Sequence, residues 1–264
     1  MIELLNYAFM QKALIAAILV GIATGLLGPY LVLRRLSLVG EGLAHLAFGG
    51  IALGFLIGIY PYGIALFVAI VGSLLIRYLI KRKVYGEAAI ALILAFGVGL
   101  GVTILGATNG FGVDLFSFLI GSILTLQWSD ILILTILATV VVIFFALFRK
   151  ELFMLSFQQD LAQVYGKRSE IADTGFVVIV AAVTIMSIQA VGILLVSSLL
   201  VIPALIALKI SHSFKQTVLL SILIAVGINI VGIFGSFYYD VPTSGFIVLS
   251  LLACYGIATI FARE

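Results

Sequence analysis

Long apolar stretches with almost no charge recur from one end of this 264-residue sequence to the other. Hydrophobic residues make up 64% of the chain and charged residues only 9%, whereas a soluble domain carries about 25% charged residues. So few charges cannot cover a surface that faces water. The sequence therefore predicts a polytopic integral membrane protein in the cell membrane, with one membrane domain over residues 1–264.

Nine apolar runs of the length that a membrane helix needs can be drawn along the chain. A tenth, shorter segment at about 113–126 is expected to be half-inserted or interfacial. Because one run could merge with its neighbour or re-enter the membrane, about eight or nine spanning helices are expected. The nine runs cover residues 13–33, 38–59, 61–80, 88–107, 130–148, 171–189, 191–208, 216–237 and 244–262.

Most lysines and arginines follow an odd-numbered run, so alternating spans place them all on one side of the membrane. The positive-inside rule assigns that side to the cytoplasm and the N-terminus to the outside. The net charge of +3 therefore reports topology, and no nucleic-acid partner is expected. These residues are Arg34, Arg35, Arg77, Lys81, Arg82, Lys83, Arg149, Lys150, Lys167, Arg168, Lys209, Lys215 and Arg263.

The stretch 33–57 combines costly polar groups with an apolar setting. Ser37 is expected to cap a helix in which Glu41 and His45 stand four residues apart. Residues at this spacing share one helix face, with their β-carbons about 5–6 Å apart. A carboxylate and an imidazole suit zinc, manganese or iron and do not choose among them. The pair is therefore a candidate site for a transported divalent metal, and no permanently bound cofactor is expected.

Structural roles compete with this reading of the pair. Glu41 could form an ion pair with Arg34 or Arg35 near the headgroups, and the start of a helix also stabilises an anion without a metal. His45 could be a hydrogen-bonded core histidine. Ionisable groups at membrane depth are costly, which favours a functional role for two of them on one face.

Glycines and one proline are expected to shape the packing of the helices. Gly50, Gly54 and Gly58 form a ridge at i+4 spacing beside the face of the metal pair, and small side chains let membrane helices approach closely. Pro203 removes one backbone hydrogen bond and should kink the seventh run.

Polar residues within the apolar runs have expected structural partners. Asn229 and Gln189 are expected to form hydrogen bonds between helices, and Asp130 is expected to cap the fifth run. The tightest link between spans is predicted at residues 189–192.

The longest polar stretch, residues 149–170, lies on the predicted cytoplasmic side. A short helix at about 157–165 is expected in it, with Gly166 as its stop and Lys167 and Arg168 beside that end. The segment is either an amphipathic interfacial loop or a helix that docks into a cytoplasmic partner. The sequence has no G-x-x-x-x-G-K-[ST] phosphate loop, so the chain is not expected to bind ATP in that way. It also has no H-E-x-x-H helix and no G-x-S-G serine site, and it is not expected to be an enzyme.

Three stretches resemble the membrane permease subunits of zinc and manganese ABC importers, the ABC-3 family. The segment L-V-L-R-R-L-S-L-V-G-E-G-L-A-H resembles the family's R-R-M-S-x-x-G-D-x-x-x-H pattern. The segment S-F-Q-Q-D-L-A-Q-V-Y-G resembles its cytoplasmic coupling helix, S-F-D-x-x-x-A-x-x-x-G. The segment V-G-I-L-L-V-S-S-L-L-V-I-P-A-L-I-A resembles its V-G-x-L-L-V-x-A-L-L-x-x-P-A-x-x-A helix. The resemblance covers nearly the whole chain.

The resemblance implies an all-helical homodimeric pore that works with a separate cytoplasmic ATP-binding subunit and an external metal-binding protein. Glu41 stands where the family has aspartate, and His45 matches the family's histidine on the path of the metal. The coupling segment becomes about 157–166, where Gln158 stands in place of an acid. Zinc is the first expected ion and manganese the second. The coupling residues are Gln159, Asp160, Leu161, Ala162 and Gly166.

Two other classes of function stay open at this point. A secondary transporter driven by an ion gradient would use the same pair without any ATPase. A structural subunit that anchors a larger membrane complex would need Glu41 and His45 only for packing. Copurification with an ATP-binding subunit would support the importer, and uptake by the chain alone would support the secondary transporter.

Overall fold

A computed structural model describes residues 7–108, 126–157 and 166–261. Within these ranges the chain forms ten helices and no strand, and nine of the ten, all but α6, are long and apolar enough to cross a membrane. The helices are α1 (Ala8–Leu33), α2 (Val39–Ile57), α3 (Pro61–Lys81), α4 (Gly86–Ala107), α5 (Trp128–Leu147), α6 (Arg149–Phe157), α7 (Lys167–Val191), α8 (Ile193–Ile210), α9 (Phe214–Tyr239) and α10 (Thr243–Phe261).

The nine predicted runs match these nine long helices, which confirms the all-helical membrane fold. The helices exceed the apolar runs chiefly at their starts: α1 begins at Ala8 and α7 at Lys167, because backbone hydrogen bonds continue into polar residues that hydropathy excludes. The sequence analysis missed α6, a short helix in which Leu152 and Leu155 are buried. The predicted tenth segment at 113–126 lies outside the described residues, apart from Leu126.

The described helices group into two compact units, each assembled from separated parts of the chain. The first unit contains α1, α5, α8, α9, α10 and the end of α7 from Ser187 onwards. The second contains α2, α3, α4, α6 and α7 up to Met186. The single membrane domain over residues 1–264 stays a prediction.

In the first unit, α1 packs closely against its neighbours through glycines. A Cβ atom built on Gly25 would lie 2.7 Å from Cα of Ile222 in α9, and one built on Gly28 would lie 2.7 Å from the carbonyl oxygen of Leu200 in α8. Two helix backbones can come this close only where the residue between them has no side chain. Pro203 lies buried inside α8, and the kink expected there stays a prediction.

Polar contacts in this unit confirm the interhelical roles predicted for two residues. Nδ2 of Asn229 in α9 donates to the carbonyl oxygen of Ala17 in α1 at 3.1 Å. Nε2 of Gln189 donates to Oδ1 of Asp130 at 3.4 Å. Asp130 also accepts a hydrogen bond from the backbone N–H of Gln127 at 2.8 Å, so it caps the start of α5 as predicted.

The link between α7 and α8 is a single residue, Gly192. Its φ of 81° and ψ of 164° lie in a region that is essentially restricted to glycine. This confirms the tight turn predicted at residues 189–192.

In the second unit, two of the three predicted ridge glycines pack against α3. A Cβ atom on Gly50 would lie 2.7 Å from Cα of Ala65, and one on Gly54 would lie 2.6 Å from Cα of Pro61. Gly58 does not belong to the ridge: no heavy atom lies within 4 Å of its built Cβ. It caps the end of α2 with φ 69°, because a left-handed residue lets its N–H reach the last carbonyls of the helix.

Candidate functional site

The helix that carries the predicted metal pair, α2, begins without a side-chain cap. Leu38 is the N-cap and makes no side-chain capping hydrogen bond, so the prediction of Ser37 as the cap is wrong. Backbone contacts close this end instead, since the N–H of Val39 donates to the carbonyl oxygen of Leu36 at 3.0 Å and that of Gly42 to Leu38 at 3.0 Å. The turn before the helix includes Arg35 with φ 57°.

Glu41 is the third residue of α2 and His45 the seventh. The side chain of Glu41 is exposed, and that of His45 is half-buried. Their i, i+4 spacing within one continuous helix places them on a common face. The sequence analysis therefore placed both residues on the correct element.

Neither side chain has a hydrogen-bond or ion-pair partner among the residues that the structure describes. Arg34 pairs with Asp173 rather than with Glu41, and His45 makes no hydrogen bond to a described residue. The third structural alternative stays open, because Glu41 lies in the first turn of α2, where a helix start stabilises an anion. In the described ranges no group of three or more His, Cys, Asp or Glu side chains could hold a metal ion. Within the described residues, Glu41 and His45 therefore stay a predicted pair of ligands.

The pair lies near one end of its helix. At 1.5 Å per residue, α2 is about 28 Å long, with Glu41 about 3 Å and His45 about 9 Å from its first residue. The predicted topology puts this end on the cytoplasmic side. The pair therefore lies at the end of α2 that is predicted to be cytoplasmic, and its role in metal binding stays a prediction.

The backbone around the pair is held by α4. A Cβ atom built on Gly42 would lie 2.7 Å from Cγ2 of Ile90, and one built on Gly97 would lie 2.7 Å from the carbonyl oxygen of His45. Contact at backbone level leaves little freedom for α2 to rotate, because protein interiors are close-packed. The helix pair α2 and α4 therefore fixes the direction in which His45 points.

The coupling residues Gln159, Asp160, Leu161 and Ala162 lie outside the described residues, and their roles stay predictions. Gly166 is described: it is exposed, has φ 66° and directly precedes α7. Its positive φ suits glycine, and its predicted roles as a helix stop and a coupling residue stay predictions.

One charged residue of the second unit was overlooked by the sequence analysis. Asp173 of α7 pairs with both Arg34 and Arg77. Its presence within the predicted apolar run 171–189 was the available signal, because an acid inside such a run needs a partner.

The nine candidate spans within the described residues define a multi-pass membrane protein, and its similarity to known proteins gives the family. Residues 6–262 match the model of the ABC 3 transport family. The chain therefore belongs to the ABC 3 transport family, as the resemblance implied, and is a multi-pass protein of the cell membrane.

Relatives and a solved structure extend this similarity over the full length. The manganese transport system membrane protein MntC of Listeria monocytogenes is 28% identical over 99% of this chain and 93% of its own length. A probable metal transport system membrane protein of Treponema pallidum is 32% identical over 93% of this chain and 92% of its own length. The structure of PsaBC from Streptococcus pneumoniae in complex with Fab matches with a TM-score of 0.86, at 28% identity over 99% of this chain and 95% of that chain.

Proposed function

We propose that this chain is the membrane permease subunit of an ATP-binding-cassette importer for a divalent metal ion, with manganese as the first expected ion. The observation that carries the proposal is the Glu41–His45 pair on α2, which has no protein partner among the described residues. The sequence analysis favoured zinc. The names of similar proteins, such as the manganese transport system membrane protein MntC, support manganese before zinc.

The chemistry of the pair suits a transported ion. The carboxylate of Glu41 supplies a negative oxygen ligand and the imidazole of His45 a nitrogen ligand, a set that manganese and zinc both accept. Two ligands bind an ion weakly, and weak binding is what transport requires because the ion must leave again. A second copy of the chain would supply a second pair, so we propose a homodimer.

The energy for transport would come from another subunit. Because the sequence has no phosphate-binding loop of the G-x-x-x-x-G-K-[ST] type, we assign ATP hydrolysis to a separate cytoplasmic subunit that contacts segment 157–166. An external metal-binding protein would deliver the ion, and the chain itself would have no enzymatic activity.

Uptake into proteoliposomes tests the proposal. The chain is reconstituted with its ATP-binding subunit and its metal-binding protein, and entry of Mn²⁺ is measured with Zn²⁺ or Fe²⁺ as competitor. We expect Glu41→Gln and His45→Ala each to lower ATP-dependent uptake by about 10–100-fold, the range found when groups around a metal are altered. Uptake that both variants leave intact would overturn the site.

Two matched variants control for general effects of removing an acid or a histidine. Glu87→Gln removes an exposed acid from the first turn of α4, and His212→Ala removes an exposed histidine between α8 and α9. Both should leave uptake unchanged. ATP-independent uptake by the chain alone would contradict the importer and favour a transporter driven by an ion gradient.

The coupling segment needs a separate measurement. Bulky substitutions at Asp160 and Ala162 should lower the amount of metal transported per ATP hydrolysed while ATP hydrolysis continues. An unchanged ratio would show that this part of segment 157–166 does not transmit the movement of the ATP-binding subunit.

A further inference from the structure

Five charged side chains of the second unit form one connected group, which we call the Asp173 network: Arg34, Arg77, Lys81, Glu170 and Asp173. At its centre, Oδ1 of Asp173 accepts a hydrogen bond from Nη2 of Arg34, and Oδ2 accepts one from Nε of Arg77 at 2.6 Å. One carboxylate therefore joins two arginines that are far apart in the sequence.

Glu170, one helical turn before Asp173, extends the network towards solvent. Its Oε1 accepts a hydrogen bond from Nζ of Lys81 at 2.6 Å and lies 3.5 Å from Nη2 of Arg77. This outer pair is 59% and 50% exposed, so water screens it and it contributes little.

The inner part of the network is mostly buried. The side chain of Arg34 is 8% exposed, that of Asp173 14% and that of Arg77 15%. The guanidinium of Arg34 also lies over the ring of Phe176, 4.9 Å from its centroid, a favourable cation–π position. A buried charge left without its partner is strongly destabilising. When α7 moves, the two arginines must therefore move with Asp173 or form ion pairs with another group.

The network does not satisfy all of its donors. Nε and Nη1 of Arg34 are buried without a hydrogen-bond partner among the described residues, and Nη2 of Arg77 has only its 3.5 Å contact with Glu170. A buried donor without a partner costs free energy. The hydrogen bonds to Asp173 are therefore the contacts that hold both guanidinium groups in the inner part of the network.

Its position connects two parts of the proposed importer. Asp173 lies in the first turns of α7, which begins directly after the predicted coupling segment 157–166. Arg34 lies seven residues before Glu41, at the approach to α2, and Arg77 lies in the last turns of α3. On the far side of the coupling segment, Oε1 of Glu151 in α6 lies 2.6 Å from Nε of Arg168 in α7.

We propose that Asp173 is a positioning residue that transmits displacement of α7 to the helix carrying Glu41 and His45, through its ion pair with Arg34. This inference rests on the proposed function as a metal importer. It assigns to Asp173 a role in energy coupling and no contact with the ion. Arg77 ties α3 to the same carboxylate, so that α2 and α3 follow α7 together.

The test measures metal transported per ATP hydrolysed by the reconstituted complex. We expect Asp173→Asn to lower this ratio by about tenfold, within the range for residues along a coupling network, while ATP hydrolysis continues. Lys81→Gln breaks only the exposed pair with Glu170 and is the matched control, with an unchanged ratio expected. A normal ratio in Asp173→Asn would overturn the inference.

A second variant separates coupling from folding. Asp173→Asn leaves the buried Arg34 without a carboxylate, whereas Arg77 keeps its 3.5 Å contact with Glu170. Asp173→Asn with Arg34→Gln also removes the unpaired charge of Arg34 and restores a neutral contact. If Asp173 only stabilises the fold, the double variant recovers the ratio, and the inference is overturned. If Asp173 couples α7 to α2, the double variant is recovered as a stable complex and still transports poorly per ATP.

Two further readouts complete the test. If the double variant is not recovered as a folded complex, Arg34→Gln decides. It removes the ion pair of residue 34 with Asp173 while Asp173 keeps its hydrogen bond from Nε of Arg77, so a lowered ratio supports the inference and a normal one overturns it. Metal uptake by the wild-type complex is measured before any Asp173 variant. If the wild-type complex takes up no metal, the proposed function itself is overturned.

Discussion

Gly49 of α2 faces Gly97 of α4 so closely that a Cβ atom built on Gly49 would lie 2.7 Å from the carbonyl oxygen of Gly97. One turn away, Gly97 faces the backbone of Leu46 and His45. The two helices therefore meet at backbone level beside the candidate site. This contact makes the position of His45 depend on the absence of a side chain at Gly97.

Replacing Gly97 by alanine should displace α2. The new methyl group would lie against Cα of Leu46 and 2.7 Å from the carbonyl oxygen of His45, and backbone atoms cannot rotate away as a side chain can. We expect Gly97→Ala to lower the free energy of unfolding by about 1–3 kcal/mol, the usual cost of overpacking. Thermal unfolding in detergent measures the stability, and metal uptake should fall with it because His45 moves.

Gly99 provides the matched control on the same helix. No heavy atom lies within 4 Å of a Cβ atom built there, so Gly99→Ala should leave stability unchanged or raise it slightly through helix propensity. Equal effects of Gly97→Ala and Gly99→Ala would contradict the close contact between α2 and α4.

The one-residue link at Gly192 should tolerate no side chain. Its φ of 81° with ψ of 164° is a conformation that other residues adopt only at a cost of about 1–3 kcal/mol. Gly192→Ala should lower the thermal unfolding midpoint, whereas Gly227→Ala, on the open face of α9 in the same unit, should not. A midpoint unchanged by Gly192→Ala would show that the α7–α8 turn is formed differently.

The membrane spans were predictable because the composition of a long apolar run is enough to indicate a membrane helix. Each needs about 20 apolar residues, and every backbone polar group must pair within the helix. Helix ends carry a weaker signal. The i+4 spacing that put Gly50 and Gly54 on one close-packed ridge continues to Gly58 without showing that α2 stops at Ile57. Likewise, the serine at 37 suggested a cap that backbone contacts made unnecessary.

Long-range pairing could not be predicted from local spacing. Arg34 and Asp173 are 139 residues apart, and nothing in either neighbourhood specifies the other. The local pattern therefore left an ion pair of Glu41 with Arg34 or Arg35 as an open alternative, and in the structure Arg34 pairs with Asp173 instead. The pair Glu41 and His45 was predictable because both residues lie on one helix, where spacing alone determines the shared face.

Asn229 offers a test of how much a buried hydrogen bond contributes between these helices. It is 1% exposed, and its Oδ1 has no hydrogen-bond partner among the described residues. Interhelical hydrogen bonds in membranes contribute about 0.6 kcal/mol on average. Asn229→Leu should therefore change the free energy of unfolding by less than about 1 kcal/mol, because it loses one weak contact and also removes an unpaired oxygen.

A charge at the same position should behave differently. Asn229→Asp would bury a carboxylate at a site that already leaves one oxygen unpaired, and a charge at membrane depth costs about 2.5–3.5 kcal/mol on insertion scales. Chemical or thermal unfolding of the purified chain compares the two variants. If Asn229→Leu is as destabilising as Asn229→Asp, the contact with Ala17 is worth far more than membrane hydrogen bonds generally are.

The length of the acid at position 41 should affect which ion is transported more than whether transport occurs. Glu41 has one methylene more than the aspartate that the family resemblance places there, and both carboxylates carry the same charge. Unlike Glu41→Gln, Glu41→Asp should therefore retain ATP-dependent uptake. It should change the relative uptake of Mn²⁺ and Zn²⁺, because the shorter side chain moves the carboxylate oxygen away while α4 still holds the backbone of His45 in place. Competition between the two ions in proteoliposomes measures this preference, with Glu87→Asp on α4 as the control. If Glu41→Asp abolishes uptake as fully as Glu41→Gln, the length of the side chain is as essential as its charge. If both variants leave the uptake and the ion preference unchanged, Glu41 does not contact the ion.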